Sequence, residues 1–407
     1  MDLQIIRGVL DGENIMRRTF LVIACITALT NTTLVKAKEL HPSGLPDFTP
    51  DRAAALTKMF TDFVATKGIN TAGVVVIKGG KVAWTGTFGS QAPGVPASEN
   101  TQFNAASLTK TVTTETILRL VDQGKLDLDE SMAPYWVDPD LADDPRHKDL
   151  TPRMALSHTT GFLNWRFLAK DYKLHFQNDP GAKYGYSGEG MKYVAAYAER
   201  KLGRGFESLV KEHLFTPLKI NGASISVREA NFPNIARRLD EDGAFWGPYC
   251  FPQKRWCSQE GDYSAAGNLV ITVNDFAKFM ISVMKEEGYS AKIAADRNHV
   301  QADKGDETKV ICGIVPDGHC PKTQGYGLGW EVFDYGDTQL LSHGGSDWAE
   351  LTTAYFYTGT QDGLVIFLNA PNYRALQVMP ELIELIDPIS PLVAHYKNLR
   401  LRSNSRQ

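Results

Sequence analysis

The strand-forming stretches of this 407-residue chain are divided between its two ends, and that division restricts the fold more than any other feature. Near the start, Gly73-Val-Val-Val-Ile77, a Lys78-Gly79-Gly80-Lys81 turn and the run 82–88 read as a hairpin. It follows a helical pattern over 49–68, where Leu56, Met59, Phe60 and Phe63 recur at helical spacing. Strand patterns return at 339–342, 350–357 and 364–369, before a last helical pattern over about 375–385. The two ends therefore share one antiparallel sheet. Between them, residues from about 107 to 285 show mostly helical periodicity, at 111–123, 191–202, 206–214 and 274–285. The expected architecture is α+β, an antiparallel sheet flanked by helices with a helical lobe inserted, and a cleft between the two parts. The polar stretch 296–308 reads as an exposed loop, and 391–407 as a tail beyond a domain spanning 45–390.

The first 37 residues follow another logic. Arg17-Arg18 precede the apolar run 20–29, then Thr30-Asn31-Thr32-Thr33 and the small residues before Ala37, the order of a secretory signal. The run is too short to span a bilayer, which takes about 20 apolar residues. Asp2, Asp11 and Glu13 fit a signal poorly and point to Met16 as the start of translation. Cys25 sits in a lipoprotein-like box, but the apolar run continues past it, so cleavage near Ala37 and a periplasmic or secreted product are expected. That leaves Cys250, Cys257, Cys312 and Cys320, an even set in an oxidising compartment, which allows three connectivities. Bridges 250–257 and 312–320 would close short loops, each worth about 2.5 kcal/mol; reduced buried thiols are the alternative.

A net charge of −4 with no long basic block gives no sign of a nucleic-acid or acidic-membrane partner. The G-x-S-x-G elbow, the H-E-x-x-H helix, the phosphate loop and zinc-type cysteine spacing are all absent, so no metal or cofactor is expected. What remains is S-x-x-K, which places a hydroxyl and an amine on one face of a helical turn. It occurs at Ser107/Lys110, Ser208/Lys211 and Ser282/Lys285. The last two lie inside amphipathic helical patterns and read as solvent-facing pairs. Ser107 follows Phe103-Asn104-Ala105-Ala106 at a helix start, where unpaired backbone N–H groups can steady an oxyanion; a plain N-cap is the alternative.

Phe103-Asn-Ala-Ala-Ser-Leu-Thr-Lys110, Tyr184-Gly-Tyr-Ser-Gly-Glu-Gly190 and Ser342-His-Gly-Gly-Ser346 occur in an order and spacing that resemble class C β-lactamases, D-alanyl-D-alanine carboxypeptidases and family VIII esterases. The resemblance continues through Leu156-Ser-His-Thr-Thr-Gly-Phe162, Tyr326-Gly-Leu-Gly-Trp330 and Gly363–Asn369, and covers about 50–388. It implies Ser107 as nucleophile, Lys110 as its base and Tyr186 as the proton carrier, with Tyr184 a weaker alternative. It also implies an oxyanion hole from the backbone N–H groups of Ser107 and Ser346, and a substrate-facing strand at His343-Gly344-Gly345.

Two departures matter. His343 stands where the lactamases carry lysine, and a neutral imidazole attracts a carboxylate far less. Gly188 stands where the family's Y-x-N pattern has asparagine, whose amide contacts substrate and the lysine, so the resemblance implies that Gly188 borders the substrate and that Glu189 takes over part of this contact; Glu189 either turns inward toward Lys110 or faces solvent at a helix start. His158 reads as part of a structural turn. The aromatics Phe245, Trp246, Tyr249, Phe251 and Trp256 either overhang the cleft or pack beneath it. The expected activity is cleavage of an ester or amide in a small molecule or short peptide through an acyl-Ser107 intermediate, as in an esterase or a D-amino-acid peptidase or amidase; the alternatives are β-lactam hydrolysis, a slowly deacylating penicillin sensor or an envelope-assembly protein. Nothing in the chain specifies an oligomeric state.

Overall fold

The computed structural model describes residues 42–240, 242–244, 246–247, 249–251, 256–315 and 319–404. The expected signal segment, with Met16 and Cys25, lies outside the described residues, as does Phe245; for Phe251 and Trp256 only the backbone is described.

Nine strands form one antiparallel sheet in the order β3-β2-β1-β13-β12-β11-β10-β9-β8. Its N-terminal strands are β1 (Thr71–Lys78), β2 (Lys81–Ala92) and β3 (Val95–Pro96). The C-terminal part supplies β8 (Ala302–Asp303), β9 (Thr323–Tyr326), β10 (Glu331–Asp334), β11 (Gln339–Ser346), β12 (Glu350–Tyr357) and β13 (Gly363–Asn369). The two ends join where β1 pairs with β13, Val74 opposite Ile366. Two short ribbons stand apart, β4 (Gln102–Asn104) with β7 (Val270–Thr272) and β5 (Cys250–Phe251) with β6 (Trp256–Cys257).

Side chains alternate across a strand, so each central strand feeds two cores. Val74, Val76, Ile366 and Leu368 pack with Phe60 of α1 (Pro50–Thr66) and with the C-terminal helices α9 (Asn372–Ile386) and α10 (Pro391–Asn404). Val75, Ile77, Val365 and Phe367 turn the other way, toward the lobe. Both faces are covered, which explains why β1, β12 and β13 are buried along nearly their whole length.

The lobe holds α2 (Thr109–Asp122), α3 (Pro152–Leu156), α4 (Gly188–Leu202), α5 (Phe206–Val210), α6 (Val273–Met284) and α7 (Ala291–Asn298), whereas α8 (Asp306–Cys312) packs with α10 and β9 and places Ile311 in the core of the terminal helices. Helix α2 is its spine, buried from Thr109 to Leu120. Much of the chain between α2 and α4 is irregular, so the lobe is less helical than its periodicity suggests.

The stretch 296–308, expected as an exposed loop, instead ends α7, contributes β8 and begins α8. Its polar composition misleads because Arg297 is buried and neutralised: it reaches Glu115 Oε1 at 3.5 Å and the Val283 carbonyl at 3.3 Å. Ser282 is likewise buried rather than solvent-facing, its hydroxyl satisfied by the Phe279 carbonyl at 2.8 Å. Residues 391–404, expected as tail, form α10, which buries Leu392, Val393 and Tyr396 against the sheet core. Cys250 is bonded to Cys257 and Cys312 to Cys320, with Cα separations of 4.0 and 4.9 Å.

Candidate active site

Ser107 sits on a sharp junction between β4 and α2. Ala106 adopts φ of 47°, a conformation rare for a residue with a Cβ. Its strain is held from several sides: Asn104 Oδ1 accepts the Ala106 N–H at 2.8 Å, and the Thr109 hydroxyl donates to the Ala106 carbonyl at 2.6 Å. The Thr352 hydroxyl of β12 donates to the Ala105 carbonyl at 3.0 Å. Ser107 thus lies in a single 3-10 turn, Ala106–Leu108, that runs into α2, and no side-chain cap is made there. Gly345 of β11 lies against this turn; a Cβ there would collide with Thr352 and the Ala105 carbonyl and reach 3.2 Å from Ser107 N. The missing side chain lets β11 approach the backbone of Ser107. Ser107 and Ser346 both border the resulting cleft.

Lys110, one turn along, is fully buried, and its Nζ lies 3.0 Å from Ser107 Oγ and 2.8 Å from the Ala266 carbonyl. Burial, aided by the charge of Lys192, lowers its ammonium to about 7. Near neutral pH roughly half of the molecules then carry a free amine, with Ser107 O–H free to donate to its lone pair. Tyr186 lies beside them: its hydroxyl hydrogen-bonds with Ser107, and its ring centroid is 4.8 Å from Lys110 Nζ. Burial pushes the phenol well above its ordinary range, so it is neutral and holds a proton. The two environments differ: the lysine can lose its charge near neutral pH, and the tyrosine keeps its proton. Tyr184 is packed instead near His158, with centroids 6.1 Å apart, and near Tyr326 at 5.8 Å.

His343 Nδ1 lies 2.7 Å from the Gly344 carbonyl, which can only accept, so Nδ1 carries the hydrogen and Nε2 a lone pair. Burial, and then the charge of Lys110, bring its pKa down to about 3. It is a neutral group at any physiological pH. His158, with φ of 58°, accepts the Ser187 N–H on Nδ1 at 3.1 Å and packs its ring 4.4 Å from that of Tyr186. Its place is behind Tyr186, where burial holds it neutral, and it does not reach Ser107 among the described hydrogen bonds. The Nε2 atoms of His158 and His343 and the Tyr326 hydroxyl are buried without a protein partner among the described residues.

Two expected substrate-contacting residues are placed elsewhere. Glu189 is 1% exposed and turned away from Lys110: its carboxylate accepts from Arg166 N at 3.2 Å, Nε at 3.0 Å and a terminal guanidinium nitrogen at 2.9 Å. A buried carboxylate needs a countercharge, and Arg166 supplies it while bridging to Asp138 and Asp140. Gly188 is covered by Trp165; a Cβ there would lie within 2.7 Å of three carbons of the indole's six-membered ring. Trp165, which no sequence pattern singled out, therefore fills the space beside Lys110, 5.6 Å from Nζ to its ring.

The cleft measures about 1220 Å³. One flank is built by Trp165, Phe167, Lys192 and the segment from Ser258 to Asn268; the other by β11 and α10, through His395, Tyr396 and Leu399. Tyr396 explains Gly344, where a Cβ would lie 3.0 Å from its hydroxyl. Trp246 and Tyr249 are not among the lining residues, and Tyr249 is buried. Among the described residues no group of three His, Cys, Asp or Glu is arranged to hold a metal, and no helix is long and apolar enough to cross a membrane.

Comparison with known proteins agrees with this fold. The chain is 23% identical over 341 residues to the D-alanyl-D-alanine-carboxypeptidase/endopeptidase AmpH of Escherichia coli K12, covering 77% of this chain and 81% of AmpH. Two fimbrial assembly proteins FimD of Dichelobacter nodosus are each 28% identical over shorter stretches; the chain spans only 34% and 51% of their lengths. Among solved structures, EstCE1, a hydrolase with promiscuous acyltransferase activity, superposes with a TM-score of 0.63 at 17% identity, over 85% of this chain and 99% of that one. The beta-lactamase family model matches residues 56–386, and with most of its length so matched the chain belongs to the beta-lactamase family of serine hydrolases.

Proposed function

We propose that the protein is an exported hydrolase that cleaves a carboxylic ester or amide in a small molecule or short peptide through an acyl-Ser107 intermediate. The observation that carries this reading is the contact of Ser107 Oγ with both a lysine whose pKa is about 7 and a neutral tyrosine. The Lys110 amine takes the Ser107 proton as Oγ attacks the carbonyl carbon. The backbone N–H groups of Ser107 and Ser346 receive the oxyanion, each worth about 3 kcal/mol in the transition state. Tyr186 gives its proton to the departing oxygen or nitrogen, then recovers one from the water that attacks the acyl carbon, while Lys110 returns its proton to Ser107 Oγ as the acyl group leaves. Two disulfides favour an oxidising compartment, in keeping with export.

The same geometry ranks substrates. A strand side chain that attracts a β-lactam carboxylate would be cationic, and His343 is neutral with its hydrogen already spent on Gly344. Esters and amides without a carboxylate at that point are therefore favoured over lactams.

The test is intact-mass labelling of the mature protein and of Ser107→Ala with a fluorophosphonate and, separately, penicillin, beside hydrolysis of p-nitrophenyl butyrate. Labelling and turnover by the wild type, both lost in the alanine variant, are expected. A lasting penicillin adduct without ester turnover would mark a sensor; equal behaviour of the two proteins would overturn the assignment of Ser107.

A further inference from the structure

The lobe side of the cleft is floored by two parallel rings. Trp165 and Phe167 stack at 6.0 Å between centroids with 11° between their planes, and both line the cleft that holds Ser107 and Tyr186. Phe167 is 54% exposed, an unusual position for a phenylalanine at the mouth of a polar site.

Three features make this a built surface. First, Gly188 opens α4 without a side chain, which is the condition for the indole to lie flat against the helix start. Second, both neighbours of Trp165 are tied to that helix: Asn164 Oδ1 accepts the Gly188 N–H at 2.9 Å, the Asn164 carbonyl accepts the Glu189 N–H at 3.1 Å, and Arg166 is gripped by Glu189. Third, the indole lies beside two lysine nitrogens, Lys110 Nζ at 5.6 Å and Lys192 Nζ at 4.8 Å from its ring, and the Lys192 ammonium attracts its π system.

The direction of the chemistry says what rests there. The leaving group must come to the Tyr186 hydroxyl to be protonated, and the Tyr186 ring lies 6.3 Å from His343 of β11 and 4.4 Å from His158, with no ring contact to Trp165 among the described residues. The flank at Trp165 is left for the other half of the substrate. Building on the hydrolase reading above, we propose that Trp165 and Phe167 form an acyl-binding shelf that selects substrates whose acyl group carries an aromatic or similarly flat apolar part next to the scissile carbonyl. A flat group gains both area and ring stacking there, whereas an acetyl group reaches neither ring.

The experiment compares kcat/KM for p-nitrophenyl phenylacetate and p-nitrophenyl acetate in the wild type, Phe167→Ala and Trp165→Ala. The wild type is expected to prefer phenylacetate, with the preference falling between about threefold and tenfold in Phe167→Ala and further in Trp165→Ala. Phe167 is exposed, so its variant remains informative even where Trp165→Ala fails to fold. A wild type without the preference, or a Phe167→Ala ratio equal to wild type, overturns the shelf. The same ratio is read from phosphonylation of Ser107 by benzyl- and methyl-phosphonofluoridates, which needs no turnover. A ratio that shifts there in a protein hydrolysing neither ester overturns the hydrolase reading and keeps the shelf.

Discussion

At the scale of single residues, the proposed acylation step rests on a lysine that must be uncharged to accept the Ser107 proton. Lys110 is held near 7 by burial first and by Lys192 second, so the rate of acylation should rise with pH through that value as the ammonium loses its proton. Lys192 carries a positive charge that disfavours a second one nearby; removing it makes the charged form of Lys110 easier to keep. Lys192→Met is therefore expected to move the acid limb of the kcat/KM profile to higher pH, lowering activity at pH 6 more than at pH 9. An unmoved limb would show that burial alone sets the lysine. That Lys110 and Tyr186 lie beside Ser107 was legible in the sequence because the relation is local or motif-bound: one helical turn, and a Tyr-Ser-x-x-Gly pattern. Trp165 was not, because its role depends on a missing Cβ 23 positions away in the chain, and no periodicity records the space above a glycine. The tautomer of His343 was equally invisible, being set by the carbonyl of its own neighbour.

At the scale of elements, a short loop is fastened to a helix start by charge. Arg166 joins Glu189 on α4 to Asp138 and Asp140, and the loop so held carries Trp165 and Phe167. Glu189→Gln keeps the size of the side chain but leaves Arg166, itself about a third exposed, with less countercharge. A loss of about 2 kcal/mol in urea unfolding is expected, smaller than for a wholly buried pair because water reaches the guanidinium. A change below about 0.5 kcal/mol would mean that the loop is held by packing instead. Strands were easier to read than this loop since their apolar runs mark them directly; β1, β12 and β13 stand close to where their sequence places them. The stretch 296–308 went unread for the opposite reason. Two of its charges are buried in pairs, Arg297 with Glu115 and Lys304 with Glu331, and composition cannot distinguish a paired buried charge from a solvated one.

At the scale of the molecule, the chain's last helix belongs to both the core and the cleft. The family match ends at residue 386, yet α10 begins at Pro391 and covers the sheet face beneath β11 and β12 with Leu392, Val393 and Tyr396. The same helix turns His395 and Leu399 toward the cleft, so its docking sets the width of the flank opposite Trp165. Its hydrophobic pattern is weak along its length and concentrated in the first turns, which is why the sequence gives it the look of a tail. The difference between a docked element and a tail is measurable at two leucines of the one helix. Leu392 is 3% exposed and Leu401 is 64% exposed. Leu392→Ala removes buried methyl groups and leaves a cavity, so about 3 kcal/mol is expected from the shift of its denaturation midpoint. Leu401→Ala should stay within about 0.5 kcal/mol. Because α10 also walls the cleft, Leu392→Ala should raise KM for extended substrates more than for p-nitrophenyl acetate under conditions where the variant is folded. Equal stability of the two variants would mean that the helix is not docked, and the far wall of the cleft would then have to be formed by β11 alone.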